Sequence, residues 1–114
     1  MPMILTKTNI AISAEKELEL KAAFGKAIET LSGKSEGWLM LSFEDNCRLW
    51  FKGGNDSPIA FIMVQVYGKI DYSQSNKLTG KLCSLMSEIL GIDPQNVYVK
   101  YEEVDMWGWN SSNF

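Results

Sequence analysis

Apolar and polar positions change period along the chain, and the changes mark out two similar halves. Met3 to Thr8 (Met-Ile-Leu-Thr-Lys-Thr) is a short apolar-to-mixed run that predicts a strand starting at the N-terminus. A helical period follows: Leu20, Phe24, Ala27, Ile28 and Leu31 share one face. Ser13 is placed to cap that helix, Glu15 and Glu17 suit its positive end, and Gly33 supplies a stop. Trp38 to Glu44 reads as a second strand, and Arg48 to Phe51 as a short piece before a Gly53-Gly54-Asn55-Asp56 turn. Ala60 to Tyr67 is the strongest strand, apolar on both faces for most of its length and therefore expected at the centre of a sheet. Asp71 or Ser73 then caps a second helix with Leu78, Leu82, Leu85 and Ile89 as its core stripe, closed by Gly91 and Pro94. Asn96 to Val104 reads as a fourth strand, and the tail from Trp107 to Phe114 is too apolar for a free end.

The order strand–helix–strand thus occurs twice, and the two helix-ending glycines, Gly33 and Gly91, lie about half the chain apart. This pattern predicts one α+β domain over residues 1–114, duplicated internally near residue 57. Two βαβ units would form a four-stranded mixed sheet with both helices on one face. Such a sheet keeps one face and two edges uncovered, and a chain this small buries only about two-thirds of its unfolded surface. Association of copies would cover them; a monomer with a polar outer face is the alternative.

Composition narrows the chemistry. Fourteen acidic against eleven basic residues give a net charge of −3, which argues against nucleic acid as the main partner. The longest strongly apolar run, Pro58 to Val66, is far too short for a membrane span, and the first residues lack a secretory pattern. A cytoplasmic location follows as the expectation. Cys47 and Cys83 make no disulfide scaffold and fit no zinc spacing, so no metal is expected. There is no histidine. That removes His-based triads and the usual general base near neutrality, and leaves perturbed Cys or Lys, or a terminal amine, whose ordinary pKa is about 7.7–8.0.

The last option directs attention to Pro2, which follows Met1 and leads directly into a strand. Removal of Met1 would leave a free secondary amine held by the strand rather than fraying. Taken alone, Pro2 is an ordinary chain end.

Pro2-Met3-Ile4, Gly33-Lys34, Gly68-Lys69-Ile70, Val97-Tyr98-Val99 and the terminal Gly108-Trp109-Asn110-Ser111-Ser112-Asn113-Phe114 run in register with one family over essentially the whole chain. The sequence resembles the macrophage migration inhibitory factor family, tautomerases with a catalytic N-terminal proline. The resemblance implies two βαβ units assembled as a homotrimer, no cofactor, and keto–enol tautomerisation of phenylpyruvate-type acids and dopachrome. It assigns Pro2 as general base and then general acid. It makes Lys34 the cation that holds the substrate's carboxylate, although a lysine after a helix-ending glycine also suits the helix dipole. Met3, Trp107 and Phe114 would give apolar cover, and Tyr98 would enter from a neighbouring subunit.

Several positions depart from the family. Tyr67 stands where an isoleucine donates its backbone N–H to substrate, and Lys100 stands where an asparagine lies at the far end of the pocket. Trp38 and Trp107 also replace smaller or different groups, so substrate preference is the open point. Ile59 and Ile62 occupy the positions of a Cys-x-x-Cys pair, which removes thiol-disulfide exchange, and Cys83 is expected to pack as a small apolar group. The same resemblance carries a second reading from another class. That reading is a cytokine-like ligand for a cell-surface receptor, exported without a signal peptide, whose tautomerase site is vestigial.

Overall fold

The computed structural model describes residues 1–114. The main elements are β1 (Pro2–Thr8), α1 (Ala14–Ala27), β2 (Met40–Glu44), β3 (Ala60–Tyr67), α2 (Tyr72–Leu90) and β4 (Val97–Val104). Two short strands follow, β5 (Gly108–Trp109) and β6 (Ser112–Asn113). The sheet order is β2-β1-β3-β4. β1 pairs parallel with β2 and β3 parallel with β4, while β1 and β3 run antiparallel at the centre. Each βαβ unit therefore supplies one parallel pair, and the antiparallel ladder joins the units. The expected four-stranded mixed sheet is present, with β3 central.

The helix-facing side chains alternate in burial along the central strands, and Ile4, Ile62, Val64 and Val66 are fully enclosed. Leu20 and Phe24 of α1 and Leu78, Leu82 and Met86 of α2 close on them. Ser13 Oγ accepts from Lys16 N–H and Asp71 Oδ2 accepts from Gln74 N–H, so Asp71 rather than Ser73 caps α2. Gly91 takes a left-handed φ of 69° and ends α2, with Gly91 N–H on Ser87 O and Ile92 N–H on Met86 O. The turn sends Ile92 back into the core.

The structure corrects several expected boundaries. Trp38 is not a strand residue: Glu36–Trp38 forms a 3-10 turn, and β2 begins at Met40. Arg48 to Phe51 joins no sheet; Phe51 bridges to Gly54 around Lys52 and Gly53, both at positive φ. The buried stripe of α2 is Ser75, Leu78, Leu82 and Met86, with Leu85 and Ile89 half-buried at its margin. The tail folds into the β5–β6 hairpin, whose turn residues Asn110 and Ser111 both have positive φ.

Thr6, on β1, is fully buried, and its Oγ1 has no hydrogen-bond partner. Thr8, two residues on, donates its hydroxyl to Ile59 O at 2.8 Å. An unpaired buried hydroxyl costs about 1–3 kcal/mol, whereas valine has nearly the same shape without the polar atom. Thr6→Val should therefore raise stability by about 1 kcal/mol, read as a Tm increase of roughly 4 °C in thermal unfolding. Thr8→Val should lower stability.

Candidate active site

Pro2 is buried on the helix-facing side of β1, opposite Val66 of β3. Met1 precedes it, so its nitrogen is an amide here. The Met1 carbonyl accepts from Tyr67 N–H at 3.1 Å, which extends the central ladder by one bond. Pro2 borders an open cleft of about 960 Å³, lined also by Met3, Trp38, Met40, Gln65, Trp107 and Trp109. The walls are mostly apolar. Trp38 and Trp109 meet edge to face with ring centroids 5.1 Å apart. This contact joins the turn before β2 to the tail hairpin. Phe114 N–H bonds Trp107 O at 3.1 Å, and the Phe114 ring lies 5.2 Å from that of Tyr67.

The α-amine of Met1 sits below its ordinary pKa of 8.0, first because burial penalises the ammonium and then because Lys34 adds a like charge and a hydrogen bond. Lys34 is half-buried and takes part in none of the five ion pairs. It borders a smaller hollow of about 200 Å³ with Val66, Lys69, Asp71 and Gln74, beside the Pro2 cleft rather than in its wall. The turn after β3 is held by Glu103, whose Oε2 accepts from Ile70 N–H at 2.8 Å and whose Oε1 lies 3.5 Å from Lys69 Nζ. The Ile70 N–H is the main reason that the Glu103 carboxyl titrates below its usual range.

Within one chain, Pro2, Met3, Lys34, Tyr67, Trp107 and Phe114 therefore cluster where β1 starts and β3 ends. Tyr98 and Lys100 do not join them. Tyr98 lies opposite Phe61, five residues along β3 from the partner of Pro2, and Lys100 lies opposite Met63. That offset puts Tyr98 roughly 17 Å away along the strands alone. Tyr98 is 62% exposed and its ring meets Phe51 at 4.9 Å. Lys100 Nζ lies 3.9 Å from Glu102 Oε1 on the sheet face away from the helices.

Trp109, Met40 and Gln65 are among the cleft residues that the sequence reading did not place in the site. An aromatic tail beside a glycine signals Trp109. Met40 and Gln65 gain their place only from strand register, opposite Met3 on either side. Ile59 and Ile62 are buried apolar positions. Cys83 is half-buried, and burial pushes its thiol pKa up, away from reactivity.

A chain of two βαβ units that starts a central strand with proline and folds its tail over that proline has the architecture of the tautomerase superfamily. Within it, the chain belongs to the family described as macrophage migration inhibitory factor, which matches residues 1–114. It is 29% identical to mouse macrophage migration inhibitory factor over 116 residues, covering 100% of this chain and 99% of the mouse protein. Among solved structures it is similar to Leishmania major MIF2, with a TM-score of 0.92 and 28% identity over 100% of this chain and 97% of that one. The homologue from Prochlorococcus marinus gives a TM-score of 0.82 with 26% identity over 98% of each chain.

The lowered amine pKa has two causes, and substitution separates them. Lys34→Met should raise the pKa of the terminal amine, because a neighbouring cation no longer opposes protonation. Burial persists, so the value should stay below the ordinary one. An NMR titration of the terminal residue checks this; an unchanged pKa would mean that Lys34 does not act on the amine.

Proposed function

We propose that this chain is a keto–enol tautomerase for small aromatic 2-keto acids of the phenylpyruvate or dopachrome type, with the Pro2 amine as its acid–base group once Met1 is removed. The observation that carries this reading is Pro2 buried at the start of a central strand beside an apolar cleft, with Lys34 near enough to the terminus to lower the pKa of the Met1 amine. The same burial and cation would act on the Pro2 amine once Met1 is removed. Family membership supports it at a coarser level, since the family includes both tautomerase-type and cytokine-like members. No helix is long and apolar enough to cross a membrane.

In the proposed reaction the neutral amine takes a proton from the carbon next to the keto group. The C–H electron pair becomes the enol double bond, the carbonyl π pair moves to oxygen, and the Pro2 ammonium gives its proton to that oxygen, which restores the neutral amine. The reverse direction runs through the same ammonium. Lys34 attracts the substrate's carboxylate, and Tyr67 N–H, released when the Met1 carbonyl leaves, offers a second donor. Retained Met1 blocks both functions: its peptide bond removes the basicity of the proline nitrogen, and its carbonyl occupies the Tyr67 donor.

Protein lacking Met1 should show kcat/KM for phenylpyruvate rising with pH through a single apparent pKa below 8.0. Pro2→Gly should lower kcat/KM by about 10²-fold, the lower end for loss of a positioned acid–base group. A flat profile between pH 5 and 8, or full activity in that variant, would overturn the assignment. Receptor-directed signalling is the outcome favoured if receptor binding survives Pro2→Gly while no tautomerase activity exists to lose.

Tyr98 and Lys100 can serve this site only from a neighbouring copy, so the proposal includes a homotrimer. Light scattering should report about three times the chain mass of 12.9 kDa. Lys100→Asn should then raise the KM for phenylpyruvate, raise the amine's apparent pKa and weaken the salt dependence. An active monomer, or a Lys100→Asn variant unchanged in all three, would remove Lys100 from the site.

A further inference from the structure

Gly25 is a costly residue where it stands. It lies within α1 and is buried, and a helix-interior glycine is about 1 kcal/mol less favourable than alanine. Its cause is local: a Cβ at this position would collide with the Glu36 carboxylate, coming within 2.6 Å of Cδ and 3.0 Å of Cγ. Gly80, in α2, has nothing within 4 Å of the same position, so close approach is particular to Gly25. The end of the Glu36 side chain, from Cγ to the carboxylate, thus occupies the space that a side chain at Gly25 would take. Lys21, one turn earlier on α1, holds it there with Nζ 3.3 Å from Oε2.

The segment so gripped carries two residues of the site. Ser32 is fixed by α2: its N–H donates to Gln74 Oε1 at 3.0 Å, and Gln74 Nε2 donates to Ser32 Oγ at 2.6 Å. Glu36 is fixed by α1. Lys34 lies between the two grips. Immediately after the second, Trp38 closes the 3-10 turn, with Leu39 N–H on Glu36 O at 3.1 Å, and meets Trp109. Ser32, Gly33, Ser35, Glu36 and Gly37 are all exposed, so no apolar burial anchors this stretch between its ends. Polar contacts are what locate it.

We propose that Gly25, Glu36 and Lys21 form a positioning seat that sets where Lys34 and Trp38 stand relative to the Pro2 cleft. The proposal relies on the tautomerase reading only for what the two residues then do. Lys21 and Glu36 are 58% and 50% exposed, and an ion pair of that kind adds little to global stability. Its consequence is geometric, because displacing a substrate-holding group by about 1 Å can change rates up to 10²-fold.

The test is a double-mutant cycle of Gly25→Ala and Glu36→Ala, read first without substrate. Indole N–H signals in NMR spectra report Trp38 and Trp109, and a titration reports the terminal amine. Each single variant should shift both indole signals and raise the amine pKa as Lys34 moves off. With Glu36 absent, Gly25→Ala should add nothing to these changes and should raise Tm, since alanine then simply improves the helix. In protein lacking Met1, each single variant should raise the KM for phenylpyruvate by about fivefold, within the range of coupled contacts. At a pH above the amine's pKa, where the base is fully neutral in every variant, the KM for its uncharged methyl ester and kcat should stay within about twofold, because only the acid uses Lys34.

Additive effects in the cycle, unshifted Trp38, or equal losses for acid and ester would overturn the seat. Should Gly25→Ala fail to fold, Glu36→Ala and Lys21→Met give the same readouts from the other side of the contact. A wild-type protein without tautomerase activity would remove the functional reading, and the substrate-free cycle would still decide whether the seat exists.

Discussion

The antiparallel ladder between β1 and β3 is the constraint on which the remaining structure depends. Within the sheet it is the one joint between two units that are otherwise parallel pairs, and it pairs Pro2 with Val66 at one end and Thr8 with Ala60 at the other. Proline has no N–H to contribute and is normally barred from a central strand, except as its first residue. Pro2 meets that condition. The chain's N-terminal end is thereby drawn into the middle of the sheet instead of to an edge, between β3 on one side and the start of β2 on the other. Rigidity and dryness at Pro2 follow from the topology and need no dedicated lid.

Electrostatics then act on a site that topology has already placed. In a chain without histidine, neutrality of an amine at pH 7 must be imposed by its surroundings. Desolvation and a neighbouring cation push in the same direction for a basic group, whereas for a carboxylate they would oppose each other. That is why Lys34 can be both a liability to the ammonium and an attraction for an anion. The ion pairs of the structure lie elsewhere: carboxylates stand within 3.9 Å of Lys7, Lys16, Lys21, Lys69 and Lys100 on exposed side chains, and none reaches Lys34. An anion entering the site finds that charge unspent.

Much of the fold was legible because it is written in local rules. Ser13, Gly33 and Gly91 mark chain reversals by capping and left-handed φ, and the apolar run from Ala60 to Tyr67 marks a central strand. What was not legible depends on tertiary geometry. Trp38 has a strand-forming side chain, yet Gly37 before it and the Glu36 contact with α1 turn the backbone into a 3-10 bend. The buried stripe of α2 runs through Met86 where the pattern pointed to Leu85, since both residues satisfy the same helical periodicity and packing against α1 and the sheet decides between them. Lys34 and Tyr98 come from family likeness; Pro2 is reached from the missing histidine and a strand that begins at the N-terminus, and the likeness supplies its role. Pattern alone gave no sign that Tyr98 and Lys100 stand far from Pro2 in the same chain, since strand separation is set by register. Gly25 was equally silent: a helical glycine reads as a weak position until the carboxylate above it is seen.

The Met1 carbonyl gives the cleft a further property. It satisfies Tyr67 N–H, a donor at the end of a central strand, in the chain that retains Met1. Excision takes away that acceptor and creates the amine in the same step. An N–H left without a partner in a partly dry place costs about 1–3 kcal/mol, which any ligand oxygen placed there recovers. Lys34 stands close to the terminus, so under the proposed reading the oxygen best suited to that donor belongs to an anion that does not itself require a proton from the site. A carboxylate meets both conditions, and in the proposed 2-keto acid substrate it would do so one bond away from the keto carbon whose neighbour carries the proton to be moved. Recognition and reactivity would thus arise from one processing event acting on one backbone hydrogen bond.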